Sequence, residues 1–228
     1  RARELLERDR SLLTLRTGQG EYAEQPPSSY HIYLWTIGSN MTPLQTASKF
    51  KQRETLNVMR ALASPEQQLL LACHDGDRNA AEAIVRAHPG IVQSLTGDDR
   101  RALTDEAWAA NAPAVELMLE LGFDPGSTSV TGPTAGTALH CAAWEGSVPC
   151  VAAILSYPAG RALIDVRDRV YGGAPLNWCC HGSANSAKRN ANHAEVARLL
   201  IAAGGRVKPD EMRASDEVMT VLYELLGP

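Results

Sequence analysis

The sequence predicts an all-α chain in which short helix pairs stack in a row as a solenoid, with incomplete ends and two inserts. Three observations lead there. A ten-residue opening recurs along the chain, starting at Thr42, Gln67, Arg101, Thr137 and Ala174. Each opening is followed by a second apolar segment, so each copy reads as a helix pair. The openings carry small residues (Ala47, Ala72, Ala142, Ala143, Cys179, Cys180), whereas the second segments carry bulky ones such as Leu56, Ile84, Leu117, Ile154 and Leu200. Small residues let the first helices approach closely, and the bulky ones fill the layer made with the second helices. No pair can bury its apolar face alone, and stacking on neighbours buries it.

In chain order, Arg1–Arg16 is expected to be one amphipathic helix, the second half of an incomplete repeat, with Leu5, Leu6, Leu12 and Leu13 covering the next pair. Residues 18–41 form an aromatic-rich insert containing Tyr22, Tyr30, His31, Tyr33 and Trp35, which could fill the concave groove itself. Thr42-Pro43 suits a helix start, with Thr capping and Pro in the first turn. The openings from Gln67 onward are separated by 34, 36 and 37 residues. The first step, from Thr42 to Gln67, is only 25, so the helices there should follow one another almost directly. Gly122 and Gly204 stand where a left-handed C-cap is expected. Gly172-Gly173 makes a turn into the last clear repeat, and residues 183–192 form a polar, basic insert carrying Lys188-Arg189. Glu217–Leu226 places Val218, Val221, Leu222 and Leu225 at helical spacing and reads as a terminal cap.

Composition agrees with this reading. The 228 residues are 44% hydrophobic and 21% charged, ordinary values for a folded globular chain. The net charge of −4 carries no general nucleic-acid footprint. No apolar run approaches the length of a membrane span. Five cysteines, mostly inside apolar helical patterns, fit a reducing, cytoplasmic setting better than a disulfide framework. The chain begins at Arg1 without Met, which points to a processed product or a fragment.

The unit Thr137-Ala138-Leu139-His140-Cys141-Ala142-Ala143-Trp144-Glu145-Gly146 resembles the opening of an ankyrin repeat, departing at its second place, where Ala replaces Pro. Ala174-Pro175-Leu176-Asn177 and Thr42-Pro43-Leu44-Gln45 resemble it too. The resemblance covers most of the chain and implies a single ankyrin-repeat domain over 1–228. It also implies a non-catalytic scaffold, monomeric, that binds a protein or peptide through the exposed side of its first helices and its hairpin tips. Carried over by position, the variable contact places are Lys49 and Phe50, His74 and Asp75, Trp108 and Ala109, Trp144 and Glu145, then His181 and Gly182. Their first members form a stripe, Lys49, His74, Trp108, Trp144 and His181, and Trp178 enlarges it. Trp removes much apolar area from water and keeps an N–H donor, which favours it at interface centres. His140 is implied as a scaffold residue whose ring bonds neighbouring backbone. Gln45, Thr104 and Asn177 hold its place elsewhere. Glu106, where the family has a small residue, implies either that this weak repeat is locally reshaped or that the charge is paired or solvated at its edge.

Other chemistries are weaker. Cys179-Cys180-His181 invites zinc, yet adjacent helical residues point about 100° apart, and zinc pairs cysteines at wider spacing. Both cysteines also fall at small packing positions. A Cys–His nucleophile needs an exposed thiol beside an oriented imidazole, which adjacency in sequence does not supply. Gly18-Gln19-Gly20 lacks the rest of a phosphate loop. No catalytic residue, metal or cofactor is therefore assigned. The alternative readings are an architectural spacer or cap for another domain, and a small hydrolase or metal site formed with the inserts.

Overall fold

The structure is a computed structural model that describes residues 2–17, 37, 40–128, 136–186 and 191–227. The described residues are helical, with no strand among them. They divide into two compact units, Arg1–Ile91 and Val92–Pro228. The aromatic side chains of the first insert and Lys188-Arg189 of the second lie outside the described residues.

In the first unit, the helix expected over Arg1–Arg16 is two elements. Helix α1, Ala2–Arg8, stops at Asp9, whose carboxylate accepts the Ser11 N–H at 2.9 Å and starts a 3-10 turn over Arg10–Thr14. The break re-aims the chain, so Leu6 and Leu13 both enter the core with Leu44, Ala47, Leu56 and Leu71. Leu5, expected to join them, is 46% exposed. At the base of the first insert, Asn40 N–H donates to Thr17 O at 2.8 Å and Thr17 N–H to Met41 O at 3.1 Å, closing a neck.

Two helix pairs follow: α2 (Pro43–Lys49) with α3 (Arg53–Arg60), and α4 (Pro65–His74) with α5 (Arg78–Ala87). Helix α2 opens on a reciprocal capping box between Thr42 and Gln45 with Pro43 in the first turn. The cap of helix α4 is Ser64, three residues ahead of Gln67, because Ser64, Pro65 and Gln67 build the same box one turn earlier. Only residues 61–64 separate α3 from α4, the nearly direct succession that the short step requires.

The second unit holds three pairs: α6 (Ala102–Trp108) with α7 (Ala112–Glu120), α8 (Ala138–Trp144) with α9 (Val148–Ser156), and α11 (Pro175–Asn185) with α12 (His193–Ala202). A single helical turn, α10 (Pro158–Arg161), extends α9. Helix α8 lies between α6 and α11, α9 lies between α7 and α12, and α13 (Asp216–Leu226) packs on α12. Gly122 and Gly204 adopt φ of 85° and 110°, the left-handed caps expected of them.

How the first helices end decides where their side chains point. The tenth place of the opening is left-handed at Lys51, Gly76, Ala110 and Gly146, with φ between 55° and 69°. Each of those helices stops two residues earlier. In the last copy the tenth place is Ser183, which is helical, and α11 runs on to Asn185. Ser183–Asn185, expected within the polar insert, are thus the end of a helix.

Candidate recognition groove in the second unit

Three successive first helices place the eighth residue of their openings in a row. Trp108 of α6 and Trp144 of α8 stack with ring centroids 6.2 Å apart and planes 15° from parallel. Trp144 meets His181 of α11 at 5.2 Å. Regular stacking of the helices thus becomes regular stacking of rings, with Trp108 and Trp144 partly exposed and His181 exposed. The rings line a groove of about 790 Å³ together with Trp178 and Tyr171; Asn177, Glu211, Met212 and Arg213 complete its lining.

Trp178 lies one turn before His181 and forms the floor. It is only 7% exposed and stands at 73° to Trp144 and 67° to Tyr171. Its indole N–H donates to Asp168 Oδ2 at 2.9 Å. Sequence reasoning did not single out Asp168, yet it organises this wall. Its carboxylate also accepts the N–H groups of Val170, Tyr171 and Gly173 at 2.6–2.9 Å, which shapes the 168–173 loop. Burial pushes the Asp168 carboxyl up, but the bonds from Tyr171, Trp178, Gly173 and Val170 outweigh it and hold the group below its ordinary value, hence ionised. The loop it holds leaves Tyr171 71% exposed at the groove edge. The signal in the sequence was an acid shortly before Gly172-Gly173, where a side chain can accept the N–H groups of a tight turn.

His140 ties two repeats. Its Nδ1 accepts the Thr137 N–H at 3.2 Å, which leaves Nε2 to donate to Gly173 O at 3.1 Å in the loop of the next repeat. The ring is fully buried, and burial lowers its proton affinity; Gly173 O and Asp168 oppose that only in part. Residues at the same place do comparable work. Thr104 Oγ1 donates to Ser127 O at 2.6 Å, and Asn177 accepts the Ala174 N–H while donating to Met212 Sδ. A second histidine, His193, donates from Nε2 to Trp144 O at 2.8 Å and so braces the end of α8, a role the sequence did not reveal.

The other matched positions fare differently. Glu145, expected to face solvent, is 6% exposed. Glu106 is buried and accepts from Asn111 Nδ2 at 2.7 Å, which answers the need for a partner. Gly182, matched to a variable surface place, is buried in α11 against the Trp144 backbone. In the first unit, Lys49 donates to Ile37 O, and Asp75 accepts from Ser48 Oγ at 2.6 Å and from Arg60 at 3.3 Å. Asp75 therefore joins α2 and α3 to α4. Phe50 is 47% exposed and lines a separate apolar groove of about 740 Å³ with Leu15, Met41 and Met59, while His74 is half-buried.

The thiols behave as packing residues. All five cysteines are buried and reduced. Burial pushes the Cys180 thiol up to about 12 and raises Cys141 and Cys179 as well, which disfavours the thiolate needed for a nucleophile or a metal ligand. Among the described residues, no group of three or more His, Cys, Asp or Glu could hold a metal ion. No described helix is long and apolar enough to cross a membrane.

No curated protein matches the chain. Residues 136–169 match the family model described as Ankyrin repeat. That span contains α8 and α9, the central pair of the second unit, and ends at 169, where the loop shaped by Asp168 begins. Residues 136–169 are thus an ankyrin repeat, and the paired helices on either side of it among the described residues support an ankyrin-repeat family for the chain.

Proposed function

We propose that the chain is a recognition scaffold that holds a protein or peptide along the aromatic row of its second unit. Ankyrin repeats generally mediate protein interactions, and one observation points to this face. Trp108, Trp144 and His181, matched only by their place in the opening, come within ring contact and line one groove. Helices hold these side chains in advance, so binding orders few rotamers. Trp108 and Trp144 supply apolar area at the centre, and His181 supplies a polar contact at the edge. Lys49, Phe50, His74 and Asp75 of the first unit rank behind this row, since Lys49 and Asp75 already bond within their own unit.

The test is simultaneous replacement of Trp108 and Trp144 by Ala, with partner capture compared between variant and parent. Loss of at least about 2 kcal/mol of binding, roughly thirtyfold, is expected of central tryptophans. Helical content should stay unchanged by circular dichroism. Equal capture by both proteins removes the assignment, and unfolding of the variant shows instead that the rings are internal packing.

A further inference from the structure

We propose that the groove takes an acidic segment of its partner, a Glu or Asp carboxylate meeting Arg213 while an adjacent apolar side chain lies on the Trp108–Trp144 wall. The proposal rests on the recognition reading of this groove and adds the chemistry of the occupant. A cation is left over in an otherwise aromatic groove. Arg213 lines it together with the tryptophans, is exposed, and has no hydrogen bond or ion pair among the described residues.

The carboxylates that could have answered Arg213 are taken. Glu211, on the same lining, pairs with Lys208 at 2.8 Å. Asp168 is buried and accepts the N–H groups of Val170, Tyr171, Gly173 and the Trp178 indole. Asp210 accepts from Tyr223 Oη at 3.2 Å. On the loop that forms one wall, Arg167 bonds Gly172 O and Arg169 is exposed, neither with a carboxylate partner among the described residues. The segments 167–173 and 208–213 thus hold three guanidinium groups without a carboxylate and no acid without a donor. The second unit as a whole is acidic, with sixteen Asp and Glu against eleven Lys and Arg over residues 92–228. At physiological salt, however, screening confines each charge to about 8 Å, so the groove's own charges select the occupant.

The rings select what accompanies the carboxylate. The stacked Trp108 and Trp144 offer apolar area to an aliphatic side chain. The Trp144 indole N–H has no acceptor among the described residues, and indole and guanidinium nitrogens only donate. A carboxylate supplies the acceptors that both require. A basic segment would bring like charge to Arg213, and a wholly apolar one would bring it no partner.

The experiment titrates the intact chain with peptides of one Gly/Ser frame whose central pair is Leu-Glu, Leu-Gln, Leu-Lys or Ser-Glu. The Trp108 and Trp144 indole N–H resonances are followed, with Trp108→Phe and Trp144→Phe variants used only to assign them. The Leu-Glu peptide should shift both signals saturably, at a concentration about fivefold below that needed for Leu-Gln, the upper range for a solvent-exposed ion pair. Leu-Lys and Ser-Glu should bind more weakly than Leu-Glu. Arg213 makes no internal bond, so Arg213→Gln keeps the fold and should bring the Leu-Glu and Leu-Gln titrations together. Four results overturn the acidic anchor and leave the recognition groove standing: equal half-saturation by Leu-Glu and Leu-Gln, tighter binding of Leu-Lys, Ser-Glu binding as tightly as Leu-Glu, or a Glu preference that survives Arg213→Gln. Silence of both indoles towards all four peptides overturns the anchor and the groove together.

Discussion

A buried imidazole holds a stack together only while both ring nitrogens are satisfied, and His140 meets that condition with one bond inside its own repeat and one to the next. Replacing it by Ala removes both and leaves a cavity, so a loss of about 2–4 kcal/mol in urea denaturation is expected. Asn is the informative substitution, because Asn177 occupies the equivalent place and makes similar bonds. The two variants also separate packing from protonation. Burial lowers the proton affinity of His140 from its ordinary value of 6.5, so below that pH the unfolded chain takes up a proton that the folded chain refuses. Above pH 6.5 this group adds no pH dependence, and as pH falls below 6.5 it withdraws stability. The advantage of the parent over His140→Asn should narrow as pH falls from 7.5 to 5; a constant gap would contradict a buried neutral ring. Its role was legible from the motif, because the residue four places into the opening is local to a helix start. Asp168 was not legible in the same way. Its four acceptor bonds include one to an indole ten residues away, and that encounter exists only once α11 is docked.

Helix ends were legible where local chemistry decides them and obscure where neighbours decide. Thr42-Pro43, Gly122 and Gly204 announced their caps, whereas the apolar periodicity around Asp9 hid the break there. The overrun of α11 is tertiary in origin: Ser183 is not left-handed, and the helix continues along α8. Two substitutions with opposite signs follow from this difference. Ala110 takes φ of 56°, where a Cβ is strained and Gly76 and Gly146 are not. Ala110→Gly should therefore stabilise by about 0.5–1 kcal/mol, the relief of strain being partly offset by the greater freedom of the unfolded chain. At Gly182 an added Cβ would run into the Trp144 carbonyl, which belongs to backbone and cannot step aside. Gly182→Ala should cost about 1–3 kcal/mol and, by moving α11 on α8, alter the fluorescence of the Trp144 cluster. Urea midpoints settle both: a destabilised Ala110→Gly would contradict strain at the left-handed tenth place, and an unchanged Gly182→Ala would contradict the close approach of α11 to α8.

At the largest scale, the outer face of α12 is covered not by another helix pair but by a single helix, and a helix in that position must bury one side and meet water on the other. Helix α13 has that asymmetry. Val218, Val221 and Leu222 are buried, while Tyr223 and Leu225 are 45% and 48% exposed. Its apolar spacing was visible in the sequence because a cap must still be an amphipathic helix. Its anchoring was not, since Tyr223 Oη bonds Asp210 and Arg198 pairs with Glu224 only after the chain has turned back over Pro209–Glu211. A chain ending after Ala214 would expose the face of α12 and forgo roughly 4–8 kcal/mol from three buried aliphatic side chains, an upper range because unfolded chains already hide part of that surface. That approaches the whole stability of an ordinary domain. The shortened chain should melt well below the parent and self-associate in sedimentation as the uncovered face of α12 seeks a substitute. Val218→Asp in the full chain should reproduce both effects more weakly, because it places a charge in the same contact without removing the helix. A truncated protein that melts with the parent and stays at the same mass would mean that α12 already presents a surface water accepts, and that α13 serves some purpose other than covering it.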